Sequence, residues 1–215
     1  VVNRDNSCVA IDAAAETVYL VWREDDGHIW FNQSNDKGVT FGSDINVSSG
    51  ISGNNRNPSL AVDADNTVYV VWENETAAGT KDIYFAKKAS SAAAFTAGVV
   101  PVDSVLGSAN QAQPFVTVDG GGVVVIAWVQ AANAVYYGRS IDYGSSLWTI
   151  ASNRIKRVDG ADTSNCGAVS VRLSADAATK YVCWSAEAAG KRNVYFNALN
   201  SSDTRVYGTD IQVND

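Results

Sequence analysis

The residues best suited to polar recognition stand beside a recurring tryptophan. Arg23 follows Trp22, and Glu73 follows Trp72. A guanidinium group donates paired hydrogen bonds and a carboxylate accepts them, so both suit a polar ligand such as a sugar or a peptide. We predict ligand contacts from these two residues and from five polar residues of neighbouring segments, namely Arg4, Arg56, Gln130, Glu187 and Arg192. The alternative is a solvated loop face whose charges serve solubility.

Motifs for nucleophilic catalysis or metal binding are missing from the sequence. His28 is the only histidine and no nucleophile-elbow sequence accompanies it, so we expect it in a solvated loop. Neither Cys/His nor EF-hand spacing occurs. The Asp63-Ala-Asp65 segment is typical of a hairpin turn. The residue pattern therefore predicts no catalytic residue, no metal site and no cofactor.

The recurring tryptophan marks a fourfold repeat. It closes an apolar run at Trp22, Trp72, Trp128 and Trp184. A shorter apolar run precedes each Trp, an aromatic pair follows it, and a last apolar segment closes the unit. Each unit of about 50 residues thus predicts a four-stranded antiparallel meander. The predicted units span residues 8–49, 58–105, 114–158 and 167–215.

The second predicted strand of each unit is apolar on both faces. In the second unit, Val68, Val70 and Trp72 point to one face, and Tyr69 and Val71 point to the other. A sandwich strand usually alternates apolar and polar residues, so burial on both faces indicates sheets stacked on each side. The sequence therefore predicts an all-β fold, a β-propeller of four four-stranded blades, with an ordinary β-sandwich as the alternative.

A turn with a distinctive composition lies between the third and fourth predicted strands of two units. Its Asp can accept backbone N–H bonds, its Gly supplies a left-handed conformation, and its hydroxyls can tie the ends of the hairpin together. The aromatic residue after it is predicted to bury its ring between neighbouring sheets. These residues are Ser34, Asp36, Gly38, Thr40 and Phe41 in the first unit, and Ser140, Asp142, Gly144 and Trp148 in the third.

The pattern Ser-x-Asp-x-Gly-x-Thr-Phe at positions 34–41 resembles the Asp-box, or BNR repeat, of the sialidase-like β-propeller superfamily. The segments Asn57–Asp63, Asp82–Phe85 and Val213–Asp215 are similar to those of secreted BNR-repeat proteins. The second and fourth units depart from the box. The resemblance implies a propeller whose boxes lie on the face away from the active site, so they are not expected to contact a ligand.

The resemblance also implies what an enzyme of this superfamily would need. A sialidase would use three arginines to hold the substrate carboxylate, a Tyr nucleophile paired with a Glu, and an Asp acid/base. The Arg-Ile-Pro type motif that opens its first blade is missing, because none of Pro58, Pro101 and Pro114 completes it. We therefore expect no catalysis, with a sialidase-type glycoside hydrolase, or a fragment of one, as the alternative.

Four units allow two arrangements. One is a closed four-bladed ring, which we favour, and the other is part of a larger propeller of six to eight blades. An incomplete ring would leave an open edge, which invites association with another chain, so an oligomer is possible in that case. Met is absent from the chain, which suggests a piece of something longer.

Two of the three cysteines are candidates for a disulfide. Cys166 and Cys183 flank the first hairpin of the fourth unit, at positions that could face each other across it. A disulfide there would need an oxidising compartment. Cys8 is then expected to be a buried thiol.

Charge and hydropathy exclude two classes of partner. The formal net charge of −7 argues against nucleic-acid binding, and no apolar run approaches the roughly 20 residues of a membrane-spanning helix. The predicted function is a non-catalytic extracellular or cell-surface module for binding or adhesion, with a glycan or another cell-surface ligand as partner. A repeat used purely for structural assembly is the remaining alternative.

Overall fold

The computed structural model describes residues 3–14, 16–98, 110–131, 134–144, 149–150, 164–176, 178–188, 190–202 and 204–214. Within these ranges the chain folds into strands and turns, as the all-β prediction requires. No helix in them is long and apolar enough to cross a membrane.

The described strands form four antiparallel sheets that follow one another along the chain. Sheet 1 contains β1 (Arg4–Ile11), β2 (Val18–Glu24), β3 (Ile29–Ser34) and β4 (Ile45–Asn46). Sheet 2 contains β5 (Asn54–Val62), β6 (Val68–Glu75) and β7 (Lys81–Lys88). Sheet 3 contains β8 (Gln111–Val118), β9 (Val124–Gln130), β10 (Ala134–Ser140) and β11 (Thr149–Ile150). Sheet 4 contains β12 (Ser164–Leu173), β13 (Lys180–Ala188), β14 (Lys191–Leu199) and β15 (Ile211–Gln212).

The strand order matches the predicted meander, with differences at the ends of the units. The first strand of each sheet begins three or four residues before the predicted unit, because its initial residues are polar and carry no apolar pattern. The closing segments predicted at 99–102 and 154–158 lie outside the described residues. Sheet 2 accordingly has three strands in the described part of the chain.

The hydrophobic core lies between consecutive sheets. Tyr19 and Phe31 of sheet 1 pack with Leu60 and Trp72 of sheet 2 in one buried cluster. Similar clusters join sheet 2 to sheet 3 and sheet 3 to sheet 4. Both faces of β6 and β9 are therefore buried, which is the arrangement that their doubly apolar sequence predicts.

The first strands of the four sheets lie side by side in chain order. β1 packs against β5, β5 against β8, and β8 against β12. The described sheets do not close into the ring that we favoured from the sequence. Val9 of sheet 1 and Tyr181 of sheet 4 lie on the two outer faces and are exposed to solvent.

Candidate ligand site on the inner strands

We call the first strands of the four sheets, β1, β5, β8 and β12, the inner strands. Each inner strand contains a bulge at the same place. The pairing with the second strand shifts register once in β1, β5 and β8 and twice in β12. Within the shifted segments, Asn6, Asn57, Gln113 and Ala168 adopt positive φ angles of 49°, 51°, 53° and 48°. Such angles are uncommon for residues other than glycine and are tolerated best by Asn. The four bulges thus repeat one backbone conformation around the inner strands.

An open cavity of about 450 Å³ lies among these bulges. All four inner strands contribute to its lining, including Asn6, Asn57, Gln113 and Ala168, and Ser185 and Arg192 of sheet 4 complete one side. We call this space the axial cavity. Its polar lining consists of three side-chain amides, three serine hydroxyls and one guanidinium group. These groups can donate hydrogen bonds to hydroxyl and carboxylate oxygens.

A chain of hydrogen bonds links the bulges of different sheets. Asn6 Nδ2 donates to Asn57 Oδ1 at 3.2 Å, and Asn57 Nδ2 donates to Glu73 Oε2 at 3.0 Å. The backbone N–H of Gln113 donates to the same Glu73 oxygen at 3.2 Å. The backbone N–H of Ala168 donates to Gln113 Oε1 at 2.6 Å. The side-chain amides beside the cavity are therefore held by hydrogen bonds to their own sheet and to the neighbouring sheet.

Glu73 is the buried centre of this network. Its side chain is 2% exposed, and its Oε1 lies 3.1 Å from Lys81 Nζ and 3.6 Å from Arg56 Nε. Arg56 also forms an ion pair with Glu75. A buried carboxylate needs such partners because desolvation alone would be costly. Glu73 Oε2 thus accepts two hydrogen bonds and Oε1 faces two cations without a hydrogen bond. This arrangement suits a structural role and not that of a free acid, base or nucleophile.

Most of the other predicted contact residues pair within their own sheet and do not line the cavity. Arg4 Nε lies 2.8 Å from Glu24, and Arg23 Nη1 lies 3.3 Å from Asp5, so these two arginines form ion pairs within sheet 1. Gln130 is buried and pairs in register with Gln111, and Glu187 pairs in register with Arg192 in the β13–β14 hairpin. Of the seven residues, Arg192 is the one that lines the axial cavity.

Arg192 is positioned by neutral groups. Its Nη1 donates to Ser185 Oγ at 2.9 Å, and Ser185 Oγ donates to the backbone carbonyl of Gly167 at 3.0 Å. The absence of a side chain on Gly167 matters here, because a Cβ at this position would lie only 3.0 Å from Gln113 Oε1. These contacts orient the guanidinium group beside the cavity, and both are made to uncharged groups.

The composition of the bulges could have been recognised in the sequence. Asn57-Pro58 and Gln113-Pro114 stand at equivalent places in the second and third units, each followed by the first apolar run. A polar residue before Pro is typical of a turn or an irregular strand. The apolar residues that define the repeat do not contain this signal.

The distinctive turns form hydrogen bonds of the kind expected from their composition. Asp36 accepts bonds from the Thr40 backbone N–H at 2.8 Å and from Thr40 Oγ1 at 2.6 Å, and Ser34 Oγ accepts one from the Gly38 N–H at 2.8 Å. These donors and the Ser34 hydroxyl lower the pKa of Asp36 to about 2. In the third sheet, Ser140 donates to Asp142 at 2.5 Å.

The aromatic residue that follows the turn in the first sheet differs from expectation. Phe41 does not bury its ring between sheets but is 43% exposed. The space between the first two sheets is filled by Phe31 and Phe95, whose rings meet edge to face with centroids 5.1 Å apart. Trp148 lies outside the described residues.

The segment Asp63-Ala-Asp65 forms the expected hairpin turn. Asp63 Oδ1 accepts bonds from the backbone N–H groups of Asp65 and Thr67, each at 2.9 Å, and Tyr69 donates its phenolic proton to Asp63 Oδ2 at 2.7 Å. No group of three or more potential metal ligands from His, Cys, Asp and Glu occurs in the described part of the chain. His28 is half-buried, and its Nδ1 lies 3.1 Å from Ser48 Oγ, so it is less solvated than expected.

The predicted Cys166–Cys183 disulfide is not formed. Cys8, Cys166 and Cys183 are free thiols, and burial raises the pKa of Cys166. The register of sheet 4 gives the reason, because Ser170 and not Cys166 stands opposite Cys183. Cys166 lies in the part of β12 where the register shifts twice, between Ser164 and Ser170, and it is not paired with Cys183.

Comparison with solved structures identifies the fold. A Hadza microbial sialidase, Hz136, superposes with a TM-score of 0.64 at 13% identity over 97% of this chain. An alpha-L-arabinanase from Penicillium chrysogenum, complexed with arabinobiose, gives a TM-score of 0.68 at 11% identity over 97% of the chain. A sialidase from Trypanosoma rangeli gives a TM-score of 0.63 at 13% identity over 98% of the chain. The chain therefore has the β-propeller fold that these structures share.

The chain spans only part of each of these proteins. It covers 46% of the Hadza sialidase, 66% of the Penicillium arabinanase and 37% of the Trypanosoma sialidase. No protein-family model matches the sequence, and no curated protein matches it either. At identities of 11 to 13%, the likeness establishes the fold and leaves the activity to the residues.

Proposed function

We propose that this chain is a non-catalytic carbohydrate-binding module built from Asp-box-like repeats, and that its ligand enters the axial cavity. The single observation that carries the proposal is the lining of that cavity. It combines fixed side-chain amides with the Arg192 guanidinium group, while the adjacent carboxylate, Glu73, is already held by Lys81 and Arg56. Fixed polar donors in a concave site are what sugar recognition requires.

The structural neighbours support a glycan as the ligand. Their names describe sialidases and an arabinanase, which act on sugars. In propellers, loops and inner strands from several blades converge on one face, so a cavity on this axis is accessible to a glycan terminus. Arg192 would favour a sugar that carries a carboxylate, since a guanidinium group donates two parallel hydrogen bonds to such a group.

The pairing of the arginines supports binding without turnover. A sialidase-type enzyme would need three arginines converging on one carboxylate of the substrate. Here Arg4, Arg23 and Arg56 each form an ion pair with a carboxylate of the protein. The alternative of a sialidase-type glycoside hydrolase, or a fragment of one, requires these pairs to open. A purely structural repeat used in assembly is the second alternative.

The proposal includes an Asp-box-like repeat and a location outside the cytoplasm. The hydrogen bonds within Ser34–Thr40 support an Asp-box-like turn, and its recurrence at Ser140–Gly144 supports a repeat. A glycan-binding module of this kind would act outside the cytoplasm, at the cell surface or in the extracellular medium.

A glycan array combined with a sialidase assay tests this proposal. We expect binding to one class of glycan, without product release from a fluorogenic sialoside. The variant Arg192→Gln should lose at least tenfold in affinity, which corresponds to about 1.4 kcal/mol. Lys191→Gln, an exposed neighbour that does not line the cavity, is the matched control. Turnover would establish the enzyme instead, and the absence of binding to every glycan would refute the module.

A further inference from the structure

Two outer sheet faces are apolar and exposed in the described structure. We call the face of a sheet that points to the sheet before it the preceding face, and the face that points to the next sheet the following face. Sheets 2, 3 and 4 bury their preceding faces, and sheets 1, 2 and 3 bury their following faces. The preceding face of sheet 1 and the following face of sheet 4 remain exposed at several apolar positions.

Val9 marks the exposed preceding face of sheet 1. It pairs in register with Leu20, just as Leu60 pairs with Val70 in sheet 2 and Val171 with Val182 in sheet 4. Leu60 is 5% exposed and Val171 is 1% exposed, whereas Val9 is 61% exposed. Ile11, on the same face, is 56% exposed. Val9 thus has the residue type and register of an inter-sheet contact without the contact.

Tyr181 marks the exposed following face of sheet 4. It stacks on Phe196 with ring centroids 6.3 Å apart, and the same pair occurs as Tyr69–Phe85 in sheet 2 at 6.3 Å. Tyr69 is fully buried, whereas Tyr181 is 43% exposed. Val194 on this face is also 43% exposed, although Ile83 at the equivalent position of sheet 2 is fully buried. At these three positions sheet 4 therefore presents side chains like those that sheet 2 packs against sheet 3.

We propose that these two faces join two copies of this chain head to tail, with sheet 4 of one copy packed on sheet 1 of the other. The three internal joints provide the argument, because each packs a following face of this composition onto a preceding face of this composition. The described part of the chain carries both halves of a fourth joint and leaves both exposed. A second copy supplies the missing half to each of them.

The physical driving force is the one that holds the internal joints together. Burial of large apolar side chains favours association, and contiguous apolar patches on a soluble protein mark interaction surfaces. A head-to-tail contact uses two different surfaces. Two copies form a closed dimer if the rotation between them lets both contacts form at once, and otherwise further copies add to the free faces. This inference does not depend on the ligand of the axial cavity.

Light scattering coupled to size-exclusion chromatography measures the association directly. One chain has a mass of 22.8 kDa, and we expect at least twice that mass at micromolar concentration. A mass of one chain throughout the accessible concentration range would overturn the proposal, including the case in which one chain closes on itself.

Paired substitutions distinguish a head-to-tail contact from general stickiness. Val9→Asp and Tyr181→Asp should each reduce the mass or the affinity, with circular dichroism reporting that both variants remain folded. Val39→Asp is the control, because Val39 is 79% exposed in the Ser34–Thr40 turn, outside both faces. An equal loss of association in this control would refute the assignment of the faces.

Mixing the two variants gives the sharpest test. The Val9→Asp chain keeps an intact sheet 4 face, and the Tyr181→Asp chain keeps an intact sheet 1 face. The mixture should therefore recover one native joint and form heterodimers that neither variant forms alone. Failure of the mixture to associate, while the native protein does, would show that the contact is not head to tail.

Discussion

The backbone N–H of Gln113 donates to Glu73 Oε2 at 3.2 Å, across the boundary between the second and third sheets. This bond begins at a bulge residue with a positive φ angle and ends on a buried carboxylate. The irregular backbone is thus tied to a charge that the neighbouring sheet holds. The geometry of the inner strands and the electrostatics of the axial cavity depend on each other at this point.

Replacement of Glu73 by Gln should destabilise the fold markedly. The substitution leaves Lys81 and Arg56 beside a neutral amide and replaces an acceptor of the Asn57 bond. Removing one partner of a buried ion pair costs about 3 kcal/mol in the free energy of unfolding. Urea denaturation followed by tryptophan fluorescence measures this loss.

The matched control is Glu16→Gln, which removes an exposed ion pair with Lys37. Its free energy of unfolding should change by less than about 0.5 kcal/mol, since exposed pairs contribute little. Equal effects of the two substitutions would contradict the role assigned to Glu73.

The Asp36 turn predicts a dependence of stability on acid. Its pKa is lowered from 3.8 to about 2 by the Ser34 and Thr40 hydrogen bonds, so the folded state binds a proton less readily than the unfolded state. The contribution of this carboxylate is complete above pH 3.8 and is lost as the pH falls towards 2. Asp36→Asn should therefore reduce the drop in stability between pH 5 and pH 2.

Urea midpoints at the two pH values measure that drop. Ser34→Ala removes the first of the stabilising donors and should reduce the drop as well, whereas Ser43→Ala, an exposed residue nearby, should preserve it. A drop of native size in Asp36→Asn would contradict the assignment.

Tyr69→Phe isolates the buried bond between Tyr69 and Asp63. The ring remains in the core, while the phenolic donor at 2.7 Å from Asp63 is lost. Burial and the Asp63 carboxylate raise the pKa of Tyr69, so the phenol stays protonated and donates at every ordinary pH. The free energy of unfolding should fall by about 1.5 kcal/mol.

The control for that substitution is Tyr207→Phe, because Tyr207 is 41% exposed whereas Tyr69 is fully buried. Its unfolding midpoint should stay close to that of the native protein. A similar fall in both variants would show that the Tyr69 bond contributes nothing particular.

The bulge at Ala168 predicts an unusual tolerance of glycine. Its φ angle of 48° is strained for alanine, so Ala168→Gly relieves strain while it increases the entropy of the unfolded chain. The two effects should cancel to within about 0.5 kcal/mol. Ala186→Gly, in a regular and fully buried part of β13, should lower the free energy of unfolding by about 1 kcal/mol or more. Thermal denaturation compares the two variants, and equal losses would argue against the strained backbone.

The regular part of the fold could be predicted from the sequence, because burial on both faces leaves a direct record in the residues. The runs that end at Trp72 and Trp128 are apolar at every position, and both strands lie between two neighbouring sheets. The polar starts of the inner strands carry no such record, so β1 begins at Arg4 and not at the predicted position 8.

The candidate site was harder to predict for the same reason. Bulges change which residues face each other, and a shift of one residue moves every later partner. The Cys166–Cys183 prediction failed on this point, since the shifts in β12 place Ser170 opposite Cys183. The charged residues Arg23 and Glu73 stand out in the sequence because they follow the repeat Trp. Their ion pairs with Asp5 and Arg56 depend on distances that only the folded chain defines.

Because each described sheet packs only against adjacent sheets, the terminal sheets should open more readily than the central ones. A row of units joined by nearest-neighbour contacts frays from its ends, as in a one-dimensional array. Among the sheets that the structure describes, sheets 2 and 3 have a partner on each side, whereas sheets 1 and 4 have one. Amide protons should therefore exchange with deuterium fastest in the terminal sheets of an isolated chain and slowest in β6 and β9. Head-to-tail association would make the exchange rates of the terminal and central sheets more similar. Amide exchange would then measure assembly as well as local opening.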